Sequence, residues 1–282
     1  MNSHLELVAD RLYALPLPFG LDRPRSMFPA TAHGFGTANC YLLQEGARAL
    51  LVDTGFPLFH KDVLRMLDTL LDAKTRLSVI VLRPAEVSAL GNLFTILEER
   101  DVEVVHGSLA PAIVYSFDVR TLAERNPAGL REHAYDQLAQ SQTLELGSSR
   151  QLEVFKPMLQ LLNQLWIYDE ETRTLFTSEY FGHAWRETAA GPWTVDDPAA
   201  DPTTAESLAE FLRTGNRTWW LAGADGDTLA AWVGETFAAR PVECIAPAFG
   251  AIFRGREVVE QQVELLQEAL RLLAREPVAG YA

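Results

Sequence analysis

The sequence predicts an α/β fold of four layers, in which helices lie outside two packed sheets and the whole chain, residues 1–282, forms one domain. Three observations favour this class. Patterns typical of strands and helices alternate over residues 5–107, a second strand-rich stretch begins at residue 141, and helices close the chain. The two halves have a similar layout without a sequence repeat. With 48% hydrophobic residues, the chain is long enough to bury a substantial core.

The first half of the chain alternates strands and helices. The pattern predicts a first strand or a hairpin arm at 5–15, an ordered loop at 21–37, and a hairpin whose arms, CYLLQEG and ARALLVDTG, meet at Gly46. The segments RLSVIVLRP, GNLFTILEER and VEVVHGS predict a buried strand, a helix and a further strand. Between the hairpin and these segments, a helix at 58–73 is predicted to bury one face, formed by Leu58, Val63, Leu64, Leu67, Leu70 and Leu71.

The second half is richer in strands. Residues 109–140 are mixed and partly helical in pattern, and the strand segments QTLELG, RQLEVFKPM and LNQLWIYDEETRTLFTSEY follow. The segment 186–204, with three prolines and three aspartates, predicts a surface excursion that acts as a lid or an oligomer contact. PVECIAPAFG predicts a short strand, and helical patterns lie at 204–214, 226–239 and 255–275.

The charge balance excludes two classes of partner. The chain has 24 Lys and Arg residues against 38 Asp and Glu residues, a formal net charge of −14 at pH 7. A general nucleic-acid binder needs basic surface to neutralise phosphates, and an anionic membrane attracts basic segments. We therefore expect neither nucleic acid nor a membrane as a partner.

The cysteines and the N-terminus predict a cytoplasmic protein. Cys40 and Cys244 lie in apolar runs and are too few for a disulfide framework, so we expect buried, reduced thiols. Residues 1–20 carry acidic side chains and no long apolar core, unlike a secretory signal. No stretch reaches the roughly 20 apolar residues of a membrane helix.

Four blocks of the sequence resemble, in order, those of the metallo-β-lactamase fold, and in particular its oxygen-binding diiron branch, which includes the flavodiiron proteins. The blocks are TANCYLL with ALLVDTG, VIVLRPAEVSALGNL, PMLQLLNQLWIYDEETRTLFTSEYFG, and CIAPAFGAIFRG. The second stands where the family has a strand ending in His-x-Glu-x-Asp-His. The third resembles its Pro-Met-Leu-His block and following hairpin, and the fourth its Ala-Pro-x-His-Gly. The match extends over residues 5–275.

The resemblance implies a pocket that has lost its metal ligands. Of the family's ligands only two carboxylates remain, and every histidine ligand is replaced. Because proline, alanine and phenylalanine carry no donor atoms, we expect a metal-free pocket and no cofactor. A hard cation held weakly by the two carboxylates and an amide is the alternative. At the family's ligand positions, in chain order, the sequence has Pro84, Glu86, Ser88, Ala89, Gln160, Glu179 and Phe249.

The same resemblance brings Glu86 and Glu179 close together. Two adjacent carboxylates cannot both ionise cheaply, so one pKa should rise, which suits an acid–base pair; alternatively, each only accepts hydrogen bonds. His183 is expected at the pocket mouth or, alternatively, in a surface loop. His33 is expected to line the entrance, with the same alternative. The pocket lining thus comprises Pro84, Ser88, Ala89, Gln160, His183, Phe249 and His33.

Two functions of different classes follow from this pocket. The first is a non-catalytic, metal-free protein that binds a small molecule, or acts as a regulatory or structural subunit, with a homodimer formed through the terminal helix or residues 186–204. The second is a metal-independent enzyme with Glu86 and Glu179 as acid and base. A weak metal-dependent hydrolase is a third interpretation. Because the printed sequence ends at residue 282, after the terminal helix, we expect no flavin module in the chain.

Overall fold

A computed structural model describes residues 4–23, 28–110, 114, 133–159, 163–214, 218, 221 and 223–275. Within these ranges the chain forms two seven-stranded sheets with helices, which confirms the predicted α/β class. The helices are α1 (His60–Leu70), α2 (Val87–Leu90), α3 (Leu93–Glu99), α4 (Ala205–Thr214), α5 (Gly226–Ala238) and α6 (Arg256–Ala274). The strands of the first sheet are β1 (Leu5–Val8), β2 (Leu12–Gly20), β3 (Phe35–Glu45), β4 (Arg48–Val52), β5 (Arg76–Val81), β6 (Val102–Gly107) and β7 (Tyr135–Gln137). Those of the second are β8 (Ser141–Leu146), β9 (Arg150–Phe155), β10 (Trp166–Asp169), β11 (Thr174–Phe176), β12 (Thr194–Val195), β13 (Cys244–Ala246) and β14 (Ile252–Arg254).

The strand order of the first sheet follows the chain, from β1 to β7. Its β4 to β7 pair in parallel, whereas β3 and β4 form the predicted hairpin, in which Glu45 pairs with Arg48 and Gly46 adopts φ 57°. The second sheet has the order β12-β14-β13-β11-β10-β9-β8. The ends of parallel strands are the usual places for sites in such sheets, so the segments after β4, β5, β11 and β13 are of interest.

The prediction for the first helix was wrong at its start. The α-helix begins at His60, and Pro57–Phe59 form a 3-10 turn before it. A 3-10 turn has about three residues per turn, so Leu58 is out of phase with the helix and is 78% exposed. The buried face consists of Val63, Met66 and Leu67.

Short strands were not predicted at three places, β7, β12 and β14. Each has two or three residues, too few for an alternating pattern, and each is fixed by pairing with a partner distant in sequence. Within the segment 109–140, which was predicted to be mixed and partly helical, residues 135–137 form a strand. Residues 111–113 and 115–132 of that segment lie outside the described residues. Because β12 belongs to the 186–204 segment, part of that excursion is an edge of the second sheet.

By its internal contacts the chain divides into two compact units. The first comprises Met1–Leu17, Ala38–Pro157 and Leu162–Thr172. In this unit the buried guanidinium of Arg150 on β9 pairs with Asp169 on β10 and donates to the carbonyl oxygens of Arg11 (3.1 Å) and Gln44 (2.9 Å). Gln44 belongs to β3 of the first sheet, so the Arg150 side chain links strands of both sheets within the unit.

The second unit comprises Pro18–Thr37, Met158–Leu161 and Arg173–Ala282. Its long helix α6 packs against α4 and α5. The buried face of α6 is formed by Val258, Val259, Gln262, Leu266, Ala269, Leu270 and Leu273. The apolar face of the terminal helix is thus covered within the unit, and charged and polar side chains form its outer face.

None of the helices in the described ranges is both long and apolar enough to cross a membrane.

Candidate functional site

Two neighbouring parallel strands of the first unit end at a buried ion pair. Asp53 directly follows β4, Arg83 stands two residues after β5, and the carboxyl ends of the two strands lie side by side. Arg83 donates from Nε (3.3 Å) and Nη2 (3.0 Å) to one carboxylate oxygen of Asp53, and from Nη1 to Ser88 Oγ (2.9 Å). The second carboxylate oxygen accepts from the Leu82 N–H (2.9 Å). Both charged side chains are at most 3% exposed.

Burial governs the protonation of this region. It raises the pKa of Asp53, whereas the Arg83 guanidinium and the Leu82 N–H act in the opposite direction. Burial also raises the pKa of the nearby Cys40 thiol, and the Asp53 carboxylate adds to this effect. A thiol held in its protonated form is a poor nucleophile, so Cys40 has the structural role expected from its apolar surroundings.

A second set of hydrogen bonds joins the same two segments. Thr54 donates from both its backbone N–H (2.6 Å) and its hydroxyl (2.8 Å) to the carbonyl oxygen of Ala89. The Asn92 side-chain amide donates to the Thr54 carbonyl (2.7 Å). A Cβ at Gly91 would lie 2.7 Å from the carbonyl oxygen of Gly55, so glycine is required where the segments approach.

The predicted pocket residues of the first unit lie on this joined segment. Pro84, Ser88 and Ala89 are buried, and Glu86 is half-buried immediately before α2. The carbonyl oxygen of Glu86 accepts from the Ala89 N–H (2.9 Å). Pro84 and Ala89 have no donor atom on their side chains, and the Ser88 hydroxyl already accepts a hydrogen bond from Arg83.

In the second unit, the loop after β11 (residues 177–184) packs backbone to backbone on the loop after β13 (residues 247–251). The Ala248 N–H donates to the carbonyl oxygen of Ser178 at 2.6 Å. Gly250 has φ 70°, and a Cβ there would lie 2.8 Å and 2.9 Å from carbonyl oxygens of the neighbouring loop. The close approach therefore requires glycine.

The 177–184 loop has an unusual backbone. Ser178 (φ 53°) and Phe181 (φ 67°) both adopt the left-handed region, which non-glycine residues rarely occupy. The Thr177 hydroxyl holds the loop by donating to the Tyr180 carbonyl oxygen (2.8 Å). Such conformations persist where the surroundings fix them, and they are found often at functional sites.

Glu179 and Phe249 stand on these two loops. Glu179 is 4% exposed, and its carbonyl oxygen accepts from the Gly182 N–H (3.2 Å). Burial, together with the charge of Glu179, raises the pKa of Tyr180. Phe249 is 2% exposed and apolar, at the position where the resemblance expects a histidine.

His183 is buried among aromatic rings, which excludes the surface-loop alternative. Its ring stacks on Phe253, with centroids 5.4 Å apart, and meets the edge of Phe211 at 6.0 Å. Neither ring nitrogen has a hydrogen-bond partner among the residues that the structure describes. Burial lowers the pKa of His183 to about 4; Arg186 contributes to this lowering, and Asp201 opposes it. The imidazole is therefore neutral at pH 7.

Asp201 is a buried residue that the sequence did not single out. One of its carboxylate oxygens accepts from the Gln262 side chain (2.6 Å), and the other from the Thr203 hydroxyl (2.6 Å). The pattern PAADPTT gave no apolar period from which burial could be predicted. Its contact with α6 is non-local and becomes visible only in the fold.

His33 is exposed and lies against the predicted excursion. Its Nε2 is 2.9 Å from a carboxylate oxygen of Glu187. The hydrogen bond with the Thr31 carbonyl raises the pKa of His33 most, and the hydrogen bond and negative charge of Glu187 raise it further. Beside it, Phe35 and Arg186 exchange two backbone hydrogen bonds of 2.7 Å and 2.8 Å. The loop before β3 and the start of the excursion are thus attached to each other.

The structure brings the predicted site residues together in two groups. Pro84, Glu86, Ser88 and Ala89 share one segment of the first unit, and Glu179, His183 and Phe249 share the adjoining loops of the second. His33 stands apart on its own loop. Gln160 lies outside the described residues. The pairing of Glu86 with Glu179 as acid and base stays a prediction.

A transition-metal centre does not fit the side chains at these positions. Over the part of the chain that the structure describes, no group of three or more His, Cys, Asp and Glu side chains could hold a metal ion. Iron and zinc centres need such clusters of imidazole, thiolate and carboxylate donors. Only Glu86 and Glu179 keep a carboxylate at the family's ligand positions in these ranges.

Comparison with known proteins gives the fold. No protein-family model matches the sequence, and no curated protein matches it. Solved structures do match. The rubredoxin:oxygen oxidoreductase of Desulfovibrio gigas is 18% identical with a TM-score of 0.70, over 97% of this chain and 62% of that one. The metal-soaked flavodiiron core from Synechocystis sp. PCC6803 is 19% identical with a TM-score of 0.65, over 94% and 60%.

A third match has nearly the same extent as this chain. It is the 1–254 fragment assigned as a diflavin flavoprotein from Nostoc sp. PCC 7120, with 19% identity and a TM-score of 0.67, over 97% of this chain and 98% of the fragment. This chain spans about three fifths of the length of the other two matched chains. The predicted resemblance is thereby confirmed for the fold, which is that of the metallo-β-lactamase-like flavodiiron core.

Proposed function

We propose that this chain is a metal-free protein on the flavodiiron core fold, acting as a small-ligand-binding, regulatory or structural subunit. The observation that carries the proposal is the state of the ligand positions. Pro84, Ala89 and Phe249 offer no donor atom, and the Ser88 hydroxyl is bound by Arg83. Such side chains cannot hold the metal that activates water or dioxygen in hydrolytic and redox reactions.

The strained backbone of the second unit supports a structural role for its two packed loops. The 177–184 loop has left-handed conformations at Ser178 and Phe181, and Gly250 permits the contact between the two loops. Strained backbone is costly, by roughly 1–3 kcal/mol per residue. Because residues 177–184 and 247–251 are buried, the interior of the unit carries this cost, which supports a structural role for the two loops in the absence of metal donors.

We further propose a cytoplasmic homodimer. Cys40 and Cys244 are both buried free thiols, the form in which cysteines are kept in a reducing compartment. The apolar face of α6 is covered by α4 and α5, which leaves the exposed part of 186–204 as the favoured contact between copies.

Elemental analysis tests the metal-free proposal directly. Protein purified anaerobically from metal-replete medium is expected to contain less than about 0.1 equivalents of iron, zinc or manganese per chain, because the donors are missing. A flavo di-iron protein of Thermotoga maritima, another solved structure that matches this chain (15% identity, TM-score 0.66), serves as the positive control in the same protocol. About two equivalents per chain in this protein would contradict the proposal.

A further inference from the structure

The buried guanidinium of Arg83 occupies a distinctive place in the first unit. It lies between the carboxylate of Asp53, which closes β4, and the hydroxyl of Ser88 in α2. A buried carboxylate needs a compensating positive charge or several hydrogen bonds to remain ionised. Arg83 supplies the charge and two of the hydrogen bonds, and Leu82 supplies one more.

The same guanidinium also reaches the segment that the resemblance assigns to metal ligands. Ser88 stands at the position of the family's aspartate ligand, and Pro84, which follows Arg83, stands at that of the first histidine. The cation that contacts this segment is therefore a side chain of the protein itself, the Arg83 guanidinium. A divalent ion bound at the same segment would face the guanidinium and be repelled by its charge.

We propose that Arg83 is a built-in replacement for a metal cation, holding the 83–89 segment against Asp53 so that the segment is ordered without metal. The inference rests on the proposed metal-free function. It extends that function by naming the group that takes over the positive charge and by excluding divalent cations from this segment.

Thermal unfolding of four variants tests the proposal. Arg83→Met keeps the length of the side chain but leaves Asp53 without its charge partner, so the Tm should fall by roughly 6–12 °C. Arg83→Lys keeps the positive charge without the forked geometry of the guanidinium, so its Tm should fall less than that of Arg83→Met. Asp53→Asn combined with Arg83→Met removes both charges and should recover part of the loss. Arg65→Met, which breaks an exposed pair with Asp62, is the control and should shift the Tm by less than about 2 °C.

The outcomes separate this inference from the proposed function. Equal losses in Arg83→Met and Arg65→Met, or in Arg83→Met and Arg83→Lys, would overturn the role of the charge. If Arg83→Met does not fold, folding of Arg83→Lys or of the double variant supports the inference, and failure of both overturns it. Addition of Zn²⁺ or Mn²⁺ to the wild-type protein is expected to leave its Tm unchanged. Uptake of metal by the wild type, with the variant pattern as expected, would contradict the proposed function and the exclusion of divalent cations, whereas the role of Arg83 in holding the 83–89 segment against Asp53 would stand.

Discussion

At the scale of single residues, His183 links the fold to pH. A histidine in water has a pKa of about 6.5, and burial lowers that of His183 to about 4. Between these two values the unfolded chain binds a proton that the folded chain does not. The stability contributed by the neutral ring is therefore complete above about pH 6.5 and is lost as the pH falls towards 4.

We expect His183→Phe to remove this acid sensitivity. Phenylalanine keeps the stack on Phe253 and cannot be protonated. The free energy of unfolding of the variant should therefore fall less between pH 7 and pH 4 than that of the wild type, and the two losses should differ by up to about 3 kcal/mol. Urea unfolding at several pH values measures the difference. His60→Gln, at the start of α1, is a matched control, and identical pH slopes in all three proteins would contradict the prediction.

Single residues also mark the limit of sequence reasoning at the site. The Arg83–Asp53 pair was not predicted, although a signal was present, since both side chains follow buried strands that pair in parallel. The ends of such strands meet, and charges placed there tend to pair. The burial of His183 and Asp201 had no such signal, because it depends on rings and helices that are distant in sequence.

At the scale of elements, long patterns were predictable and short ones were not. The β3–β4 hairpin, β5, α3 and β6 agree with the apolar runs of the sequence, because these runs are long enough to indicate the type of each element. β7, β12 and β14 have two or three residues each, and their strand conformation comes from partners elsewhere in the sheets. Leu58 was misplaced because a 3-10 turn changes the phase before α1.

The packing of the two loops in the second unit gives a prediction at this scale. In Gly250→Ala, the new methyl group would meet carbonyl oxygens at 2.8 Å and 2.9 Å and the backbone would remain left-handed, so we expect a loss of at least about 2 kcal/mol in the free energy of unfolding. Gly46→Ala is the control, since Gly46 has φ 57° with nothing within 4 Å and loses only the conformational term, about 1 kcal/mol. Equal losses in urea unfolding would show that the loop contact is unimportant.

At the scale of the whole molecule, net charge opposes self-association. Each chain carries −14 at pH 7, so two copies repel one another, and salt screens that repulsion. If the proposed homodimer forms, light scattering should give twice the chain mass of 31.3 kDa, and the dimer fraction should rise with salt. Ala190→Arg in the exposed turn of the excursion should change the dimer fraction, whereas Ala73→Arg after α1 should not. A monomer at every salt concentration would contradict the proposal.

The buried ion pair of Arg83 and Asp53 also changes how the protein depends on its surroundings. A bound metal stabilises a fold by mass action, so its contribution falls when the free ion becomes scarce or is chelated. A guanidinium that belongs to the polypeptide is present at one per chain from synthesis onwards and cannot be diluted or competed away. If Arg83 has the proposed role, the segment around Ser88 needs no loading step after translation, and we expect metal starvation of the cell to leave it intact.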